Sequence, residues 1–244
     1  MNPVPDKNIE VFNEDIRSHS AYIYASNTRL SMRYANKRST DASLALYPFA
    51  GKKVIDIGCG DGTFTIELFD HAKPASILGC DGAEEAIRSA RQKIDDRKIT
   101  FETANAYSLP FPDDSFDVAY VRAILHHLDH PGDAIREAFR VARDVLIVEP
   151  NGYNPVLKLL EKIHPYHIAH KEKSYTSRML DRLVREAGGK VLTREWFNLV
   201  PMFCPDWIAK ASKLVEPLVE RTPGLRLLGC SLYGLRATRE AQPR

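Results

Sequence analysis

The chain has 244 residues, 44% of them hydrophobic and 27% charged, with a formal net charge of +2. Such a length buries a full core, in one large domain or two small ones. So small a net charge gives no electrostatic reason to expect a nucleic-acid partner.

The opening MNPVPDKNIE is polar, with no apolar signal core. No run of about 18 apolar residues occurs that could span a membrane. Cys59, Cys80, Cys204 and Cys230 stand apart, with no CxxC pair. That usage suits reduced thiols and a cytoplasmic protein, without a disulfide framework or a zinc knuckle.

Residues 9–50 read as helical, with Tyr22, Tyr24, Tyr34 and Tyr47 interleaved with Arg29, Arg33 and Arg38. From Lys53 strands and helices alternate. KVIDIG is a short β-branched run of the kind that forms a strand buried on both faces. A helix over Phe64–His71 follows, then a second strand, SILGCD, over Ser76–Asp81. Within Glu84–Asp95, Ile87, Ala90 and Ile94 share one helical face. ITFETA and FDVAYV (Phe116–Val121) are the third and fourth strands, and the intervening YSLPFPDDS is a loop by its prolines and acids. A helix over Ala134–Val141 turns Ile135, Ala138 and Phe139 inward, and DVLIVEP is the fifth strand.

After Pro150 the rhythm loosens, and residues 151–173 read as a Tyr- and His-rich connection. Met179, Leu180, Leu183, Val184 and Ala187 mark a helix that Gly188 and Gly189 close. KVLTREWFNLV is a sixth strand, a Pro-bounded helical insertion covers Asp206–Arg221, and the last strand lies near CSLYGLRAT. The expected fold is α/β: a doubly wound, mostly parallel sheet of seven strands, with N-terminal helices and a helical insertion before the last strand. We expect a single domain with three parts: a helical cap (1–50), a cofactor-binding core (51–150) and a substrate-side half (151–244).

The chemistry concentrates in VIDIGCGDGTFT, Val54–Thr65. Parallel sheets bind ligands at the carboxyl ends of their strands, where Asp56, Gly58, Gly60 and Gly62 stand. Glycine there lets the main chain touch a ligand and offer N–H groups from the next helix. Asp81 ends the second strand, where an acid can accept from both hydroxyls of an adenosine ribose. The dinucleotide fingerprint GxGxxG/A requires a third small residue, and that place holds Thr63. The glycines fall instead as GxGxG after an acid, which a pyrophosphate would avoid and an amine-bearing ligand would tolerate. S-adenosylmethionine carries adenosine, an ammonium and a sulfonium, and no phosphate.

VIDIGCGDGTF, GCDGAEEAI, ANAYSLPFPDDSFDVAY and ILHHLDHPGDAIREAFRVAR resemble successive motifs of the class I S-adenosylmethionine-dependent methyltransferases. The likeness is strongest to the branch that modifies small molecules such as quinones and sterols, and it covers Lys53–Pro150. It implies the Rossmann-like methyltransferase fold and S-adenosylmethionine as cofactor. By resemblance, Gly58, Cys59 and Gly60 line the methionine moiety, while Asp56 and Thr63 fix the loop. Asp81 holds the ribose with Gly82 and Ala83 beside the adenine, and Asn105 and Ala106 meet the adenine edge. Many relatives carry aspartate where Asn105 stands, but the amide oxygen can still accept from the adenine amine. Arg122 falls near the expected sulfonium, where a cation has to turn away or meet an acid. The Pro-Gly-Gly turn usual before the fifth strand is replaced by RVARDVLIVEP, a shortened connection that can shift strand register.

Methyl transfer is a displacement at an activated carbon, so a base is needed only where the acceptor loses a proton. The candidates are His127 and His126, adjacent and expected to point apart, and then Glu149 at the same sheet edge. HHLDHP also invites a metal reading, but such histidines occur in relatives without metal, and none is expected here. His164, His167 and His170 suit a solvated or substrate-facing lid, and Tyr22 and Tyr24 a packed N-terminal helix. Ile208, Ala211, Leu214, Val215 and Leu218 recur at helical spacing, as core or a homodimer surface more than as a lid. VRAILHH replaces the Asn/Asp-Pro-Pro-aromatic motif with which amino-methyltransferases grip a flipped base, so a small-molecule acceptor is expected. The insertion has a faint likeness to methyltransferases of glycan and lipid-linked pathways. The alternatives are a cofactor-binding protein of this fold without catalysis and a nicotinamide oxidoreductase.

Overall fold

A computed structural model describes residues 8–19, 22–25, 27–94, 96, 98–170 and 172–240. The first seven residues of the polar opening, and Asp95 at the end of one expected helix, lie outside these. The sheet has seven strands: β1 (Lys53–Ile57), β2 (Ser76–Asp81), β3 (Ile99–Thr103), β4 (Phe116–Arg122), β5 (Ala142–Pro150), β6 (Gly189–Phe197) and β7 (Leu232–Arg239). Their order is β3-β2-β1-β4-β5-β7-β6. The first five pair in parallel, and β7 runs antiparallel to both its neighbours. The order reverses between β1 and β4, so the carboxyl ends of those strands open the crevice where such sheets hold ligands.

The helices are α1 (Asn8–His19), α2 (Leu30–Leu46), α3 (Thr63–Ala72), α4 (Glu84–Gln92), α5 (Pro131–Val141), α6 (Pro155–Ile163), α7 (Pro165–Ala169), α8 (Ser177–Glu186), α9 (Asp206–Arg221) and α10 (Pro223–Gly229). Residues on each buried strand alternate between two cores. Ile55, Ile57, Val121 and Ile147 pack with Ile135, Phe139, Leu180 and Val184 of α5 and α8. Val54, Tyr120 and Leu146 pack with Ala42, Leu68 and Ile87 of α2, α3 and α4.

Three expectations change. Residues 151–173 hold α6 and α7 rather than an irregular connection, because Asn154 caps α6, its side chain accepting from Val156 and Leu157 N–H. The apolar row of the insertion is not core: α9 buries Ala209 and Glu216, while Trp207, Leu214 and Leu218 are 71%, 84% and 66% exposed. The shortened connection leaves β4 and β5 in continuous register, since α5 ends at Val141 and β5 starts at Ala142. Among the described residues no helix is long and apolar enough to cross a membrane.

Candidate active site

The loop between β1 and α3 depends on left-handed glycines, with φ of +79°, +54° and +75° at Gly58, Gly60 and Gly62. A Cβ on Gly58 would stand 2.4 Å from Ile124 Cδ1, and one on Gly60 2.6 Å from the Tyr22 ring. Backbone sign and space both exclude a side chain there. The Gly58 and Cys59 N–H groups donate to the Cys80 carbonyl at 2.7 and 3.1 Å, which ties the loop to β2.

Asp81 sits partly exposed at the end of β2 and lines the cavity. Its Oδ2 accepts from Gly60 N–H at 2.9 Å and its Oδ1 from Ala83 N–H at 2.8 Å. Burial raises its pKa, and the main-chain donors oppose that rise. Each oxygen keeps acceptor capacity beyond these bonds.

Asp56 is buried and accepts from Thr65 Oγ1 at 2.6 Å. Burial pushes its carboxyl up to about 6, with the Thr65 bond and the Arg122 charge acting against it. Thr63, expected with Asp56 to fix the loop, donates its N–H to Asp61 Oδ1 at 3.2 Å, and its hydroxyl accepts from Lys93 Nζ at 2.9 Å. The two threonines lie about 200° apart around α3, so only one can face β1. Gly58, Cys59, Gly60, Gly82, Ala83, Asn105, Ala106 and Arg122 line the cavity with Asp81, whereas the lining does not include Asp56, Thr63 or Glu149.

Arg122 resolves its awkward placement by lying on the Phe64 ring, 3.8 Å from its centroid, and donating to Thr40 Oγ1 at 3.3 Å. Asn105 Oδ1 accepts from Tyr107 N–H at 2.9 Å, which leaves one further acceptor position on that oxygen.

After β4 the chain turns at Ala123, in the left-handed region with φ of +55°. The Glu149 carboxylate, fully buried on β5, gathers this turn. Oε1 accepts from Ile124 and Leu125 N–H at 3.0 and 2.8 Å. Oε2 accepts from His126 N–H at 3.3 Å and lies 2.7 Å from His126 Nδ1. Four donors occupy its acceptor positions, so this geometry gives Glu149 a positioning part.

His126 and His127 do not point apart. Their rings lie against each other at a tilt, with centroids 3.8 Å apart and planes at 43°. The Glu149 tether holds His126, while Phe12 of α1 meets the His127 ring edge-on at 4.9 Å. Burial alone would lower the His126 pKa, but the Glu149 charge and hydrogen bond leave it above the ordinary value. His127 falls well below its ordinary value, first through burial and then through the neighbouring His126. Its Nδ1 lies 3.4 Å from the His170 carbonyl oxygen.

Both histidines line the same cavity as Asp81. It holds about 360 Å³ and is walled by Phe12, Tyr22, Tyr24, Leu157, Met202 and Leu232. Sequence reasoning missed Phe12, Glu161 and Glu172, which also line it. Glu172 stands between lysines in KEKS and looks solvated there, yet its side chain is only 11% exposed and meets His167 Nδ1.

This donor set fits S-adenosylmethionine. Asp81 presents a carboxylate for two vicinal hydroxyls, and the acids Asp56, Asp61 and Asp81 around the glycine loop would repel a pyrophosphate.

The family model described as "Methyltransferase domain" matches residues 55–145. The 27-O-demethylrifamycin SV methyltransferase of Amycolatopsis mediterranei is 34% identical over 126 residues, 49% of this chain and 46% of that protein. The demethylmenaquinone methyltransferase of a Roseiflexus species is 36% identical over 106 residues, 43% and 44% of the two chains. The matches thus span less than half the length of these curated relatives. Among solved structures, a Thermotoga maritima S-adenosylmethionine-dependent methyltransferase, described as a possible histamine N-methyltransferase, superposes with a TM-score of 0.69 at 18% identity over 96% of this chain and all of that one. Residues 55–145 thus match the methyltransferase-domain family, on a sheet that has the fold of solved S-adenosylmethionine-dependent methyltransferases.

Proposed function

We propose that the protein transfers the methyl group of S-adenosylmethionine to a small, largely apolar acceptor. The observation that carries this reading is one cavity lined by Asp81, the left-handed Gly58 and Gly60 and the adjoining His126 and His127 together. Bound there, the cofactor supplies a methyl on a sulfonium, an electrophile that needs no further activation. Asp81 would hold the ribose edge, with Gly82, Ala83, Asn105 and Ala106 about the adenine and Gly58, Cys59 and Gly60 along the methionine moiety. Asp56 supports the loop through Thr65 rather than by contact. Phe12 and Tyr22 close the cavity from the N-terminal side and exclude water, which favours a positioned displacement.

The cofactor held by these residues would supply the methyl to the acceptor's nucleophilic atom, with the thioether as leaving group keeping the bond's electron pair. Any acceptor proton leaves toward the imidazole pair, where His127 and His126 stand and Glu149 orients the latter. The aromatic lining suits a phenol or quinol more than a glycan or a polar lipid headgroup.

We read residues 1–244 as one domain with a helical cap, a cofactor core and a substrate-side half, because α1, β4 and the α7–α8 connection wall one cavity. The exposed row on α9 supports a homodimer, and the absence of paired cysteines supports a cytoplasmic site.

Incubation with methyl-labelled S-adenosylmethionine and a panel of phenolic and quinol acceptors tests the reaction, with products read by mass spectrometry. Label on an acceptor is the expected result. Cofactor binding without transfer to any acceptor would leave a binding protein of the same fold.

A further inference from the structure

We propose that His126, His127 and Glu172 form a binding site for a divalent first-row cation at the acceptor side of the cavity, with Zn²⁺ the best match. The proposal rests on the methyltransfer reading only for the use made of the ion; binding itself is independent of it. One ligand atom from each of the three residues lies within 4.8 Å of the other two. Zinc–ligand bonds of about 2.0–2.2 Å put neighbouring ligand atoms about 3.4 Å apart, so closure needs side-chain movement of roughly an ångström. The two imidazoles are already neighbours, with centroids 3.8 Å apart and planes inclined at 43°.

The surroundings carry the inference further than proximity does. Metal-bound histidines donate their second ring N–H to a carboxylate or a carbonyl, and metal-bound carboxylates are themselves hydrogen-bonded. All three candidate ligands have such a support. His126 Nδ1 is 2.7 Å from Glu149 Oε2, which leaves Nε2 as the ligating nitrogen. His127 Nδ1 faces the His170 carbonyl at 3.4 Å, which again leaves Nε2. Glu172 is held by His167 Nδ1. A single carboxylate with two imidazoles leaves coordination positions open, as in catalytic zinc sites and facial-triad iron sites.

Charge points the same way. Glu161 pairs with Lys158 at 3.0 Å and turns toward Ser174, while Glu149 and Glu172 face imidazoles. Two carboxylates thus stand beside the imidazoles, and a dication seated there would be attracted by both. All three ligands line the cavity, so the open positions face the proposed acceptor. A hydroxyl bound there gives up its proton more readily, because the cation stabilises the oxyanion. The histidines would then assist transfer as ligands, and the proton would leave to water rather than to an imidazole.

The test uses the full chain without a histidine tag, stripped with a chelator and free of cofactor and acceptor. Zn²⁺ is titrated by calorimetry, with Mg²⁺ as the oxygen-preferring control, and Co²⁺ serves as the spectroscopic probe. The expected result is one equivalent of Zn²⁺ and no comparable Mg²⁺ binding. Co²⁺ should give the visible bands of a low-coordinate site and two paramagnetically shifted imidazole N–H resonances. Glu172→Gln and His127→Asn, each checked by circular dichroism, should weaken Zn²⁺ binding at least tenfold. Failure of the wild-type protein to take up Zn²⁺, or Co²⁺ spectra without shifted imidazole protons, overturns the site even if a variant fails to fold. So does uptake that both folded variants retain. Because no cofactor is present, none of these outcomes depends on whether methyl transfer is the right reading.

Discussion

His126 Nδ1 and Glu149 Oε2 lie 2.7 Å apart across two strands' ends, and the same carboxylate receives three consecutive main-chain N–H groups of the turn after β4. The turn is therefore shaped around a buried anion. Glu149→Ala should cost about 3–5 kcal/mol, the range for breaking a buried ion pair, because four donors lose their acceptor at once. Glu149→Gln should cost less, since its amide oxygen still accepts. Urea unfolding of both variants checks this. A loss under about 1 kcal/mol for the alanine variant would show that the turn is shaped by packing alone.

Asp81 is the proposed ribose anchor, and it also holds the glycine loop through Gly60 and Ala83 N–H. Asp81→Asn keeps one acceptor oxygen while removing the charge, so the loop should persist and cofactor affinity should fall. A charge-assisted hydrogen bond contributes about 1.5–3 kcal/mol, so the dissociation constant should rise at least tenfold. Calorimetric titration with S-adenosylhomocysteine reads it. An unchanged constant in a folded variant means the ribose is held elsewhere.

Asp56 gives a pH signature. Its carboxyl titrates at about 6 in the fold, against about 3.9 in an unfolded chain. The folded state therefore holds the extra proton between roughly pH 4 and 6, and stability falls as pH rises through that window. The limit is about 3 kcal/mol, at roughly 1.4 kcal/mol per pH unit. In Asp56→Asn this contribution disappears. Unfolding curves for both proteins from pH 4 to 7 should show the wild type losing ground steadily to the variant. A constant difference across the window would contradict the assignment.

Leu214 and Leu218 stand on the exposed row of α9. Their replacement by lysine should leave monomer stability within about 0.5 kcal/mol, as for other exposed positions. If the row is a homodimer surface, sedimentation should show a wild-type dimer and a double variant that is monomeric. A wild-type monomer at every concentration tested removes the homodimer from the account.

The parts that periodicity governs were legible in the sequence. Ser76–Asp81 and Asp206–Arg221 occur with the ends expected, and the GxGxG run and Asp81 meet at one cavity as their strand positions require. What was not legible depended on which way a side chain turns. Thr65 reaches Asp56 because helical phase turns it toward β1, and a loop reading could not supply that phase. The histidine rings meet because a buried glutamate 23 residues away in sequence tethers one of them. α6 was lost to its flanking prolines, although Asn154 before Pro155 is itself a helix-start signal. Glu172 carried no signal at all, since burial of an acid among lysines is decided by tertiary contact.

The central claim is that the cavity beside Asp81 takes a sulfonium nucleoside and not a dinucleotide. Titration of the full chain by calorimetry, with S-adenosylmethionine in one experiment and NAD in another, tests it most directly. One equivalent of S-adenosylmethionine bound, displaceable by S-adenosylhomocysteine, with no heat from NAD, is the expected result. Saturable NAD binding with no response to S-adenosylmethionine would contradict it.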